Sequence, residues 1–76
     1  NESRVKNLSW INRPVTEELE LLARVRYRDA STPIVFSPDG NGGARIIYKE
    51  TQRALASGQI LALYDGETLL GGGVFL

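Results

Sequence analysis

The chain has 76 residues without cysteine or histidine, and its nine basic residues balance nine acidic ones. A chain of this length forms one domain at most, and a domain of this size buries only about 60% of its unfolded surface. The missing residue types exclude disulfides, zinc sites with sulfur or imidazole ligands, and Ser-His-Asp or Cys-His catalysis.

The charge is unevenly distributed although the total is zero. All nine basic residues lie between Arg4 and Arg53, and the segment 21–53 carries six of them against three acids. A zero total argues against a strongly basic, free-standing nucleic-acid binder, so the local excess alone decides nothing. With no apolar run of about 20 residues and no signal peptide, we expect a cytoplasmic protein without a membrane partner.

Apolar and polar residues alternate with a period of two along most of the chain, which is typical of β-strands. Residues 1–4 are predicted to be a lead-in or the boundary to a preceding domain, and residues 5–76 to form a β-domain. The expected strands are Val5–Ile11, Leu19–Arg28, Ile34–Ser37, Ala44–Lys49, Ile60–Tyr64 and Thr68–Leu76.

The second predicted strand has the clearest alternation, with Leu19, Leu21, Ala23, Val25 and Tyr27 on the inward face. Trp10 is either a core anchor or a plug at one barrel end. The core candidates, with an uncertain inward face for 60–64, are Leu21, Ala23, Val25, Tyr27, Ile46, Tyr48, Leu61 and Leu63.

Turn signals separate these strands. The stretch 38–43 and the pair Asp65-Gly66 predict hairpins, whereas the glycines at 71–73 predict a bulge, a sharp bend or a close backbone approach. The connection 50–59 is the one long one, with a possible helical turn at 52–56. About six short strands without a long helix predict an all-β fold, a small antiparallel β-barrel.

No pattern for catalysis or metal binding emerges from the residues. Neither glycine cluster is followed by Lys-Ser/Thr and a helix, as a phosphate-binding loop requires. Asp39-Gly40-Asn41 lacks the spacing of a calcium loop. The expectation is therefore no catalytic residue, no metal and no cofactor in this chain.

One arginine row has two interpretations. Arg24, Arg26 and Arg28 would share a strand face at spacings of about 6.5 Å, which suits successive phosphates of a nucleic acid. Alternatively, the row is a solvated face with cross-strand partners among Glu18, Glu20 and Glu50. The candidate RNA-binding residues are Arg24, Arg26, Arg28, Arg53 and Lys49.

Four motifs together resemble the C-terminal part of bacterial tRNA-specific 2-thiouridylases. They cover most of the chain from about Val5 to Leu76 in the family's order, with one departure at Thr51, where the family usually has proline. The motifs are Leu8-Ser9-Trp10-Ile11, Arg24-Val25-Arg26-Tyr27-Arg28, Gln52-Arg53-Ala54 with Ser57-Gly58-Gln59, and Tyr64-Asp65-Gly66 with Leu70-Gly71-Gly72-Gly73.

The resemblance implies a barrel similar to the second domain of translation elongation factors. It implies a parent enzyme that uses ATP to activate the wobble uridine of tRNA and installs sulfur from a cysteine persulfide, with ATP and catalytic cysteines in an upstream domain. The implied partners are tRNA, the parent's other domains and a sulfur-relay protein. The alternative is a protein-interaction or scaffolding barrel without RNA contact. The chain's end at Leu76 suggests a natural C-terminus.

Overall fold

The computed structural model describes residues 2–11, 13–25, 30–49 and 58–76, and these ranges form six β-strands and no helix. Each strand begins near a predicted one, so the period-two pattern identified the elements. In chain order, the strands are β1 (Glu2–Trp10), β2 (Leu19–Arg24), β3 (Thr32–Pro38), β4 (Ala44–Tyr48), β5 (Ile60–Asp65) and β6 (Thr68–Phe75).

The strands close into an antiparallel barrel in the order β1-β4-β3-β2-β5-β6. Closure depends on β1, which pairs with β4 at its start and with β6 further along. A closed barrel leaves no strand edge unpaired, which matters for a chain too small to cover an edge with another layer. The predicted all-β, six-stranded barrel is confirmed.

The first strand begins earlier than expected. Residues 2–4 pair with β4, where Glu2 lies opposite Ile47 and Arg4 lies opposite Arg45. The expected lead-in is therefore part of the barrel wall from Glu2 onward. Glu2 and Arg4 are exposed, as expected when only one face of a barrel strand is buried, whereas Ser3 is half-buried and accepts a hydrogen bond from Tyr48.

The second strand is shorter than predicted, and the prediction that it runs to Arg28 is wrong. β2 ends at Arg24, and Val25 lies in a bend where its side chain packs half-buried against the core. Residues 26–29 lie outside the described residues, as does the possible helical turn at 52–56. Alternation alone could not locate the end of the strand, since a bend can follow without a change in hydrophobicity.

The core fills the barrel interior with alternate residues of every strand. Its centre contains Phe36, Ile34, Ile46, Leu61 and Leu63, each with 0% exposure. Of the predicted core residues, Leu21, Ala23, Ile46, Tyr48, Leu61 and Leu63 are buried, Val25 is half-buried, and Tyr27 lies outside the described residues.

Trp10 packs as one of its two predicted roles requires, whereas Leu19 is not buried as predicted. Trp10 packs against the core with its ring edge-on to Phe36, at a centroid distance of 5.5 Å, as an anchor would. Leu19, assigned to the inward face, is 48% exposed. It opens β2 directly after the exposed residues 16–18, and it is paired with Phe36 of β3 on one side only, because the pairing of β2 with β5 begins at Leu22.

The glycines of β6 permit a close approach of three strands. A Cβ atom on Gly71 would lie 2.1 Å from the Ser9 carbonyl oxygen, and one on Gly72 would lie 2.3 Å from the Leu61 carbonyl oxygen. The pairing of β5 with β6 shifts between Leu63 and Tyr64 beside this run. The predicted bulge and close backbone approach are therefore confirmed.

The hairpin between β5 and β6 turns one residue later than the predicted Asp65-Gly66 pair. Asp65 still pairs with Thr68, so Gly66 and Glu67 form the two-residue loop. Gly66 has a φ of 60°, a left-handed value that glycine adopts without a Cβ penalty.

The described part of the chain contains no helix that could serve as a membrane span.

Candidate nucleic-acid interface

Arg24 is the one predicted strand arginine that the structure describes, and it lies at the last position of β2. It is paired there with Ala62 of β5, while Leu22 is paired with Tyr64. The antiparallel register therefore brings Tyr64 diagonally close to Arg24. The guanidinium carbon lies 5.3 Å from the centroid of the Tyr64 ring, a cation–π distance.

The stacked guanidinium is not engaged by acidic groups of the described residues. Its Nε atom is buried and has no hydrogen-bond partner among them, and neither described ion pair includes Arg24. A guanidinium presents five N–H donors in a planar fork that matches phosphate or carboxylate oxygens. The ring contact restricts the orientation of this fork.

The remaining arginines of the predicted row lie outside the described residues. These are Arg26, Arg28 and Arg53. Since β2 ends at Arg24, the spacing expected along one continuous strand is not established for this row. Their contact with RNA stays a prediction.

Lys49 follows β4 and is held by an acidic partner across the neighbouring strand β3. Its Nζ atom donates a hydrogen bond of 2.6 Å to Oε1 of Glu20 on β2, and the two side chains are 42% and 71% exposed. Glu20 was among the cross-strand partners expected for a solvated charged face. That expectation concerned the arginine row, which this pair does not test; at Lys49 itself the local charge is balanced by Glu20.

The structure also brings together two arginines that the sequence patterns did not indicate. Arg4 of β1 and Arg45 of β4 lie directly opposite each other, and both are exposed. Glu2 offsets the repulsion, with its Oε2 atom 3.3 Å from Nε of Arg45. They border a surface hollow of about 200 Å³ together with Asp39. No local pattern signals this pair, because only the tertiary pairing of β1 with β4 brings the residues together.

Tyr48 is the only described residue with a clearly shifted pKa, and its side chain belongs to the barrel core. Burial in the core raises the pKa of the phenol above its usual value of 10.0, and a side-chain hydrogen bond with Ser3 partly opposes this rise. The hydroxyl donates to Ser3 Oγ at 3.2 Å.

Within the described ranges, no three acidic side chains cluster as a metal site would require.

Comparison with known proteins identifies the family. A family model described as the aminomethyltransferase beta-barrel domain matches residues 1–75. The chain belongs to this barrel-domain family. The match covers every strand of the barrel, so the family assignment and the observed fold agree.

Curated relatives of the chain are tRNA-specific 2-thiouridylases named MnmA. The protein from Vesicomyosocius okutanii is 43% identical over 65 residues, which covers 86% of this chain and 18% of the relative. The Chlorobium luteolum protein is 41% identical over 75 residues, with coverages of 92% and 20%. The Bacillus subtilis protein is 38% identical over 69 residues, with coverages of 88% and 19%.

The chain thus spans about a fifth of the length of the curated relatives it matches. The resemblance to the C-terminal barrel of tRNA-specific 2-thiouridylases is confirmed. The arginine and lysine candidates are untested by these matches, because sequence similarity of the whole domain assigns no role to a particular side chain.

Proposed function

We propose that this barrel is an accessory domain that contacts tRNA in a 2-thiouridylase. The observation that carries the proposal is the stacking of the Arg24 guanidinium on the Tyr64 ring, without an acidic partner among the described residues. The relatives are named as tRNA-specific enzymes, so the anion best suited to this site is a tRNA phosphate.

The expected contact is electrostatic and positions the RNA without reading its sequence. Arginine binds phosphate through a planar, bidentate fork, and such contacts fix the register of a protein on nucleic acid. Prior stacking on Tyr64 reduces the side-chain entropy that Arg24 loses on binding. Arg26, Arg28 and Arg53 are proposed to extend the contact, with Lys49 a weaker participant because Glu20 already holds it.

The chemistry of the parent protein would take place outside this domain. The parent protein would thiolate the wobble uridine of tRNA with ATP, in the cytoplasm, and both ATP and the sulfur-carrying groups would be held by its other domains. A sulfur-relay protein is a proposed partner of those domains. The barrel would contribute substrate binding; its own sequence contains neither a thiol nor a phosphate-binding loop.

The test measures tRNA affinity of the full-length parent protein as a function of salt. Arg24, Arg26 and Arg28 are replaced by glutamine, singly and together, and the matched control is Arg45→Gln. Arg45 is 47% exposed and lies on β4, separated from β2 by β3. Each lost phosphate contact should lower the slope of log Kobs against log salt by roughly 0.7–0.9.

The expected result is a flattened slope and weaker binding for the row variants, similar for different tRNAs, with Arg45→Gln unchanged. An unchanged affinity and slope in a folded triple variant would refute the proposal. The barrel would then be a scaffold without direct RNA contact. Circular dichroism of each variant shows whether the fold is retained.

A further inference from the structure

The outer face of β1, β5 and β6 carries an apolar groove that no described side chain covers. Ile11, Ile60 and Leu69 line it and are 60%, 66% and 40% exposed. The groove has a volume of about 410 Å³. Its floor is the glycine run 71–73, where the strands approach so closely that no side chain can project.

The backbone holds the walls of this groove in place. The Ile11 amide donates to the Leu70 carbonyl oxygen at 2.9 Å, which fixes Ile11 beside β6 after β1 has ended. Ile60 is paired with Val74, and Leu69 is paired with Tyr64. Ile60 and Leu69 therefore project from paired strands and Ile11 from a bend hydrogen-bonded to β6, and burying them would be favourable by roughly 25 cal/mol per Å² of apolar surface.

The chemistry of the groove favours a protein surface over RNA. None of the described residues that line it is charged or aromatic; the polar ones are Asn7 and Ser9. RNA recognition needs cations for phosphates or aromatic rings for stacked bases. Exposed aliphatic side chains grouped on one face are instead typical of a protein–protein contact.

We infer that this groove is the surface on which another domain of the same polypeptide docks. The relatives extend over about five times the length matched here, so a covalently attached body is the partner at the highest effective concentration. The inference rests on the proposed function only in assuming such a longer parent chain.

The position of the groove relative to Arg24 gives the docking a functional consequence. Ala62 is paired with Arg24 on one side and with Gly72 on the other, so the arginine borders the groove. A domain seated in the groove would lie beside the proposed phosphate contact. The tRNA would then bind at the junction of two domains, and docking would set the position of Arg24 relative to the rest of the enzyme.

The test uses single cysteine substitutions in the full-length protein. Ile60→Cys and Ile11→Cys report on the groove, and Leu76→Cys is the matched control, since Leu76 is 61% exposed and does not line the groove. Each protein is treated with a maleimide without tRNA. Modification of the introduced thiol is followed by peptide mass spectrometry and normalised to the rate in denaturant.

Both groove thiols should react at least ten-fold more slowly than the control thiol, independently of protein concentration. Three outcomes would overturn the inference: equal rates, protection only at high protein concentration, which indicates a second copy, or protection only when tRNA is added. The assay needs no tRNA for its expected result. A negative result in the maleimide assay is therefore distinguishable from a negative result in the tRNA-affinity measurements on the arginine variants.

Discussion

Replacing Gly72 by alanine should destabilise the barrel by overpacking its wall. The new Cβ would lie 2.3 Å from the Leu61 carbonyl oxygen, whereas real Cβ atoms stay at least 3.0 Å away, so the strands must separate by at least 3.0 − 2.3 = 0.7 Å. Gly72 is paired with Ala62 on one side and with Ser9 on the other. Movement away from β5 therefore pushes β6 into β1.

Overpacking of this kind costs about 1–3 kcal/mol, and alanine regains only about 0.4–1 kcal/mol through the unfolded state. We expect a net loss of roughly 1.3 kcal/mol, the difference between the midpoints of these two ranges, from a total of roughly 4–11 kcal/mol for a chain of this size. Urea unfolding, followed by fluorescence of the single tryptophan, Trp10, measures the loss.

The matched control for this prediction is Gly40→Ala. Gly40 has a φ of 82°, but a Cβ there would meet nothing within 4 Å. Its cost should be the backbone penalty alone, about 1–2 kcal/mol, without loss of strand pairing. If Gly72→Ala were as stable as the parent sequence, the close approach of β5 and β6 would not explain the glycine run.

Three further outcomes are expected. Phe36→Ala should lower the free energy of unfolding by about 3–5 kcal/mol because Phe36 is completely buried, while Phe36→Leu should cost under about 1.5 kcal/mol; urea titration distinguishes them. Tyr48 has a raised pKa in the folded state, so its contribution is complete below the unfolded value of 10.0 and is lost as pH rises through the folded value. Tyr48→Phe should make stability less sensitive to pH above 10.0, and a thermal melt series against pH checks the sign. Glu20→Gln removes an exposed ion pair with Lys49 and should change stability by under about 1 kcal/mol at any salt concentration; a larger effect would mean that the pair is structurally essential.

The sequence by itself determined the fold class and most of the strands. Alternation of apolar and polar residues depends only on the opposite directions of neighbouring side chains in a strand, so it identified Leu21 and Ala23 as core residues without knowledge of their neighbours. The resemblance also depended on local motifs, since runs such as Tyr64-Asp65-Gly66 keep their spacing in the chain whatever the fold.

Only the tertiary structure decided which of these residues meet. The contacts of Arg24 with Tyr64, of Lys49 with Glu20 and of Arg4 with Arg45 each join different strands. The apolar groove likewise draws its walls from three strands. A period of two specifies which face a residue occupies but not which strand lies beside it, because strand order and register are set by closure of the whole barrel.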